Sequence, residues 1–312
     1  NVGWSTSRKQ DLGVDLKFFK DNLSLTLDIF KEHRKDIFIT RRVIPDYSGF
    51  VEMPYANLGV VDNKGFEATL EYTQQLGKKC FLTVRGNFSW NEDKIIENDD
   101  PRVQYPWMEK RGTNVNGRWG WIAEGLFTSE EEIMDHAKQF GEGHPGQISK
   151  VGDIKYKDLN GDGKIDEDDR TRVGRGNRPE LTYGLNLNCA WNGFDLSAQF
   201  TGGALFDVSL TGTYYNGYDD NTVWTQAFKE GANSPLYLVQ NAYTTENPNG
   251  TFPRLTLGNQ GHGGDNGLAS TFWLRNGRYL RLKSAQLGYT FPKRWMLSLI
   301  HISEPTRPEP IS

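Results

Sequence analysis

Asp158, Asn160, Asp162, Asp166 and Asp169 fall at positions one, three, five, nine and twelve of a twelve-residue loop, with Gly163 at six and Lys164 at seven. Calcium takes about six to eight hard oxygens. This spacing offers carboxylates, one amide oxygen and the Lys164 backbone carbonyl, with glycine where the loop must turn sharply. Position twelve carries Asp, which reaches less far than the usual bidentate Glu, so lower affinity or fewer ligands are expected. No helix is predicted directly before the loop, as an EF-hand would require. It reads as an isolated structural calcium loop rather than a signalling EF-hand, and the alternative is an Asx-rich turn whose side chains bond to their own backbone.

A second group of residues could bind a ligand. Tyr105, Trp107, Trp119, Trp121, Tyr214, Tyr215, Tyr218 and Trp224 gather in long irregular segments, where exposed rings could stack on apolar sugar faces or clamp a peptide. The competing reading makes them interfacial aromatics or anchors for loop packing. Trp90, Trp191 and Trp273, at the ends of strand-like runs, fit an interfacial girdle.

Catalytic patterns are absent: there is no G-x-S-x-G, no H-E-x-x-H and no Walker loop, and the 5 His show no metal spacing. The turn from Gly174 to Pro179 lacks the last glycine of a dinucleotide fingerprint. Glu67 and Glu71 could be imagined as a glycosidase pair, yet same-face carboxylates on a polar strand read as wall residues. The chain is not expected to be an enzyme. Cys80 and Cys189 have no CxxC spacing and read as small apolar wall residues, with a disulfide as the alternative.

The elements that must position these residues alternate with period two. Leu12, Val14, Leu16 and Phe18 share one parity, and after the turn Lys20, Asp21, Asn22 the pattern resumes with Leu23, Leu25, Leu27 and Ile29. Phe66, Ala68, Leu70 and Tyr72 lead through Gly77 into Cys80, Leu82, Val84, Phe88 and Trp90. Tyr183, Leu185, Leu187, Cys189 and Trp191 lead through Asn192 and Gly193, a strong tight-turn signal, into Phe194, Leu196, Ala198 and Phe200. A last run, Leu280 and Leu282 then Ala285, Leu287, Tyr289 and Phe291, changes parity near Ser284, which predicts a bulge. The opposite faces carry Glu, Arg, Lys and Asn in number, as a water-filled interior would require.

About eight to ten strands of about ten residues are predicted, the length a tilted strand needs to cross a bilayer. Short turns close each pair, whereas residues 31–64, 91–180 and 202–270 are long and irregular. That asymmetry predicts an all-β, partial antiparallel transmembrane β-barrel with long extracellular loops. One helix is predicted inside the second loop, where Ser129 and Glu132 form a capping box.

Composition agrees. The 312 residues include 34 Gly, 13 Tyr, 17 Phe and 9 Trp, only 36% are hydrophobic, and the mean hydropathy is -0.65, a balance suited to an aromatic, turn-rich β-protein. No apolar run is long enough for a membrane helix. The net charge of -4 offers no basic field for nucleic acid. No signal-peptide-like segment opens the sequence, so the chain is either cytosolic or lacks its beginning. Residues from about Leu297, reading LSLIHISEPTRP, look like a translated sequencing adapter. The expected division is therefore 1–296 as barrel and 297–312 as a non-native tail.

Four further segments complete the pattern: Asn57-Leu58-Gly59 with Asn63-Lys64-Gly65-Phe66-Glu67, the run Gly152 to Asp166, Asn247-Pro248-Asn249-Gly250-Thr251-Phe252-Pro253-Arg254-Leu255, and Tyr279-Leu280-Arg281-Leu282-Lys283 with Leu287-Gly288-Tyr289-Thr290-Phe291-Pro292. In this order and spacing they resemble the C-terminal barrel of SusC/RagA-type TonB-dependent outer-membrane receptors, over nearly all of residues 1–296. The resemblance implies a barrel of about 22 strands with an N-terminal plug, energised by the TonB complex and lidded by a SusD-like surface lipoprotein that captures a glycan or peptide. On that reading the chain is a fragment of a nutrient importer of the bacterial outer membrane, without plug or TonB-interacting segment. The alternative functions are a soluble or surface carbohydrate-binding β module with a calcium loop, and a surface glycosidase.

Overall fold

A computed structural model describes residues 2–44, 46–77, 79–140, 149–210, 236–255 and 264–292. The 297–312 tail lies outside these residues.

Seven long strands form one antiparallel sheet in chain order: β1 (Thr6–Phe18), β2 (Leu23–Thr40), β3 (Tyr55–Leu76), β4 (Cys80–Glu97), β5 (Leu181–Trp191), β6 (Phe194–Ala204) and β7 (Tyr279–Tyr289). Eight to ten were expected, and the remaining strands among the described residues are short ribbons in the loops. The predicted turns hold. Asn192 and Gly193 both have positive φ, 48° and 94°, as a two-residue turn between right-twisted strands requires.

Register turns the alternation of single strands into a continuous surface. Leu12 pairs Ile29, Ile29 pairs Phe66, Phe66 pairs Trp90, and Trp90 pairs Leu181. Five strands thus place an apolar residue in one row. Parallel rows follow down the sheet to Leu76, Cys80, Trp191, Phe194 and Tyr289. Cys80 and Cys189 sit in this face as free thiols. On the opposite face Asp15 pairs Thr26, Thr26 pairs Thr69 and Thr69 pairs Asn87. A slip of one residue would exchange the two faces, so each strand's pattern pins its neighbour.

The apolar face is bare: Leu12, Ile29 and Leu287 are 65%, 60% and 74% exposed. From the Trp90 row to the Cys80 row is ten residue steps, about 33 Å of strand. At the tilt of about 40° usual in such barrels, that gives about 25 Å of height, the thickness of an outward apolar band in a membrane barrel. Trp90 and Trp191 mark its two rims, as expected of a girdle.

The parity change near Ser284 is a bulge. Gln199 pairs Ser284 while Phe200 pairs Leu282, leaving Lys283 unpaired, so Leu280 and Leu282 above it and Ala285 and Leu287 below it face the same side.

The segment 31–64 departs from expectation, because β2 runs on to Thr40 and β3 begins at Tyr55. Above the apolar band the same face turns polar, with Lys64 bridging Glu92 at 3.3 Å and His33 facing Asp62 at 2.6 Å, before apolar residues such as Phe38, Leu58 and Ile96 return farther up. The ladder continues there although the alternation that announces a strand is gone. The same holds for β4, which reaches Glu97.

The interior of the fold lies in the loops. Every buried hydrophobic residue among those described is outside the seven strands, and Trp121, Ile154, Tyr156, Ile165, Leu238, Ala242, Phe252 and Trp273 form one cluster. Small ribbons frame it: Arg118–Gly120 on Thr171–Gly174, Ala123–Leu126 on Ile154–Tyr156, Lys138–Gln139 on Lys164–Ile165, and Asp207–Ser209 on Leu274–Asn276. Trp273 is 2% exposed at the centre of this cluster and donates Nε1–H to the Asn266 carbonyl at 2.7 Å. It is a core residue, which corrects the girdle expectation. The predicted helix is present as Glu130–Asp135, with Ser129 Oγ accepting from Glu132 N at 3.2 Å. Glu132 reaches back one residue further than expected, to Thr128 N at 2.7 Å.

Candidate functional site

The Asp158 to Asp169 loop is held by its own side chains. Asp158 accepts from Gly161 N at 2.6 Å and from Gly163 N at 2.9 Å, Asn160 Oδ1 from Asp162 N at 3.0 Å, and Asp162 Oδ1 from Lys164 N at 2.8 Å. Asp166 and Asp169 close a capping box around the short helix Glu167–Asp169. Asp169, fully buried, receives Leu159 N at 2.7 Å and Asp166 N at 3.0 Å. Gly161 and Gly163, at φ of 75° and 81°, supply the left-handed turns.

Negative charge collects here. Desolvation, then the neighbouring Asp166, Asp169 and Asp162, push the Asp168 carboxyl above its ordinary value. Among the described residues, however, no group of three or more acidic, His or Cys side chains stands where it could hold a metal ion. As they lie, the carboxylates spend lone pairs on backbone N–H groups, the arrangement of a self-capped turn.

The aromatic candidates pack against this loop from outside. Trp121 Nε1 donates to the Asp166 carbonyl and Trp107 Nε1 to the Asp168 carbonyl, both at 2.8 Å. Trp121 is 5% exposed and meets Phe140 edge-on, with the Arg170 guanidinium over its ring at 5.5 Å from the centroid. Tyr105 is half-buried and stacks on Trp107 with centroids 4.7 Å apart. Trp119 is half-buried beneath the Lys110 ammonium, 5.9 Å from its centroid. Thus Tyr105, Trp107 and Trp121 come together around one loop, while Trp119 borders open clefts on two sides. Tyr214, Tyr215, Tyr218 and Trp224 lie outside the described residues.

A polar node joins the loops behind the cluster. Asp153 bonds Arg254, with Nε at 2.6 Å from Oδ1 and Nη2 donating to Oδ2 at 3.1 Å, and Asn266 Nδ2 donates to Oδ1 at 2.7 Å. The Nε–H is not aligned on its neighbour, so that contact is an ion pair rather than a hydrogen bond. Asn266 Oδ1 in turn accepts from Ile154 N at 2.8 Å. Nothing in the spacing of Asp153, Arg254 and Asn266 announces this meeting, because the partners are about a hundred residues apart in the chain.

A bare apolar band outside, a polar face inside and a folded loop layer at one end describe part of a membrane barrel wall. A family model described as TonB-dependent receptor-like β-barrel matches residues 1–300. The chain belongs to that family. Its family is one of outer-membrane transporters rather than enzymes, and this chain is outer-membrane barrel wall with its loops. Among curated relatives, TonB-dependent receptor P3 of Formosa agariphila is 24% identical over 95% of this chain and 28% of its own length. TonB-dependent receptor SusC of Bacteroides thetaiotaomicron is 20% identical over 95% and 27%. The RagAB peptide importer in its open-open state has a chain that superposes with a TM-score of 0.65 at 20% identity, over 95% of this chain and 29% of that one. The chain therefore spans less than a third of the length of the relatives it matches.

Proposed function

We propose that this chain is the C-terminal wall and loop layer of an energised importer that carries a glycan or peptide across the outer membrane. The observation that carries the reading is the two-faced register: apolar rows left bare over the height of a bilayer core, and polar side chains of β1 to β4 facing the other way. A closed barrel needs such a wall to satisfy every backbone group within lipid, and polar inward residues to pass a hydrophilic solute. The family membership and the similarity to SusC and to a peptide importer support import over simple anchoring. A carbohydrate-binding sandwich would bury these apolar faces against each other.

The partners follow from the same reading. A SusD-like surface lipoprotein closes over the loop layer, whose buried cluster makes it a firm platform, and the TonB complex acts through a part of the receptor beyond this chain. Calcium is the ion proposed for the Asp158 to Asp169 loop, on the order of its oxygen donors and the gathered negative charge. Binding requires carboxylates to turn from backbone N–H groups toward the loop interior.

Uptake tests the proposal. A cell carrying the full-length receptor should accumulate at least one member of a panel of labelled glycans and peptides, and a receptor-deleted cell should not. Equal accumulation of every compound by both cells would overturn it.

A further inference from the structure

We propose that a cleft beside Trp119 binds a carboxylate carried by the imported molecule, with Arg118 as the cation. The inference rests on the import reading and adds a ligand chemistry to it. The cleft, about 490 Å³, opens between the ribbon Arg118–Gly120 on Thr171–Gly174 and the ribbon Asp207–Ser209 on Leu274–Asn276.

Among the described residues Arg118 is the one charged residue in its lining. Its side chain is half-buried, yet among the described residues it makes no ion pair, its Nε has no hydrogen-bond partner, and its Nη2 makes a single long bond to the Asp207 carbonyl at 3.4 Å. Other half-buried arginines of the loop layer are matched: Arg111 by Glu109, Arg254 by Asp153 and Arg41 by Asp99. A guanidinium taken partly out of water without a counter-charge is costly, and its five N–H donors suit a planar acceptor. The cleft also holds Ser270, 1% exposed, whose hydroxyl has no partner among the described residues.

The rest of the lining defines the ligand. Trp119, Val173 and Leu274 offer apolar surface, and Asn116 and Asn177 offer amides. One guanidinium and, among the described residues, no second cation match a monoanion better than a phosphate, and a planar carboxylate is the monoanion that a guanidinium fork binds in bidentate fashion. The C-terminus of a peptide and the acid group of a uronic sugar share this chemistry.

Calorimetry on the purified full-length receptor separates them, using N-acetyl-glycyl-leucine against its C-terminal amide and glucuronate against glucose. In at least one pair the acid should bind about tenfold or more tightly than its neutral counterpart, since hydrogen bonds to a charged group are stronger than those between neutral ones. The pair that discriminates names the source of the carboxylate. R118M should erase the preference and R118K should retain part of it, with heat-modifiable migration showing that each variant is folded. Equal binding of acid and neutral probes by the wild type, binding of neither, or an undiminished acid preference in folded R118M would each overturn the site. A receptor that imports without acid preference sinks this inference alone, whereas an acid-selective receptor that imports nothing sinks the import reading.

Discussion

The Trp121 indole donates Nε1–H to the Asp166 carbonyl at 2.8 Å, so a buried ring of the loop core is tied to the backbone of the acidic loop. Trp121→Phe keeps most of the apolar volume and deletes this bond, leaving the Asp166 carbonyl to find water. We expect a local destabilisation of about 1 kcal/mol, against about 3 to 5 kcal/mol for Trp121→Ala, which also opens a cavity. Hydrogen exchange across residues 164–169 reads both; equal protection in the two variants would contradict the account.

Asp153 is 5% exposed and holds Arg254 and Asn266 together. Asp153→Ala leaves the Arg254 charge without its partner in a site that is only 24% exposed at that side chain. A cost of about 3 to 5 kcal/mol is expected for breaking such a pair from one side. Asp153→Ala with Arg254→Met should recover part of it, and limited proteolysis of the 236–255 segment measures the difference.

Glu132 has its carboxyl held at about 2, well below its ordinary 4.5, first by the hydrogen bond from Lys155 and then by the N–H of Thr128. A group with a lowered folded pKa stabilises the fold fully above its unfolded value, and the benefit fades as pH falls toward the folded one. Pepsin cleavage near Glu130–Asp135 should therefore rise between about pH 4.5 and pH 2 in the wild type. Lys155→Met should shift that rise to higher pH; an unshifted profile would show that Lys155 is not the cause.

Calcium added to the full-length receptor should slow proteolysis between Asp158 and Asp169, with chelator reversing the effect and Asp158→Ala removing it. Cleavage that ignores both calcium and chelator would leave the self-capped turn as the whole account of this loop.

Tyr183 lies over Gly202 in the wall and donates its hydroxyl to the Tyr279 carbonyl at 3.0 Å. A Cβ at position 202 would sit 2.3 Å from that ring and 2.6 Å from the same carbonyl. Gly202→Ala should cost about 1 to 3 kcal/mol by overpacking and lower the heat-modifiable folded fraction; an unchanged fraction would mean the ring moves aside freely.

The wall was legible because its information is local. Alternation from Leu12 to Phe18 needs only a strand and two solvents, the Asn192-Gly193 turn needs only positive φ, the Lys283 bulge appears as a parity change, and Ser129 caps a helix three residues away. Above Trp90, where Lys64, Glu92, His33 and Asp62 interrupt the apolar parity, the same reasoning lost the strands, because the ladder there leaves no regular pattern in hydropathy.

The sequence by itself determined a two-faced β wall, its turns and its acidic loop, since these follow from side-chain period and backbone preference within about ten residues. Only the tertiary structure decided that Trp121, Ile165, Phe252 and Trp273 share one core, that Asp153 meets Arg254, and that Arg118 is left without a counter-charge among the described residues. Those relationships join segments far apart in the chain, about a hundred residues for Asp153 and Arg254, through irregular chain where no period links partners and packing alone selects them.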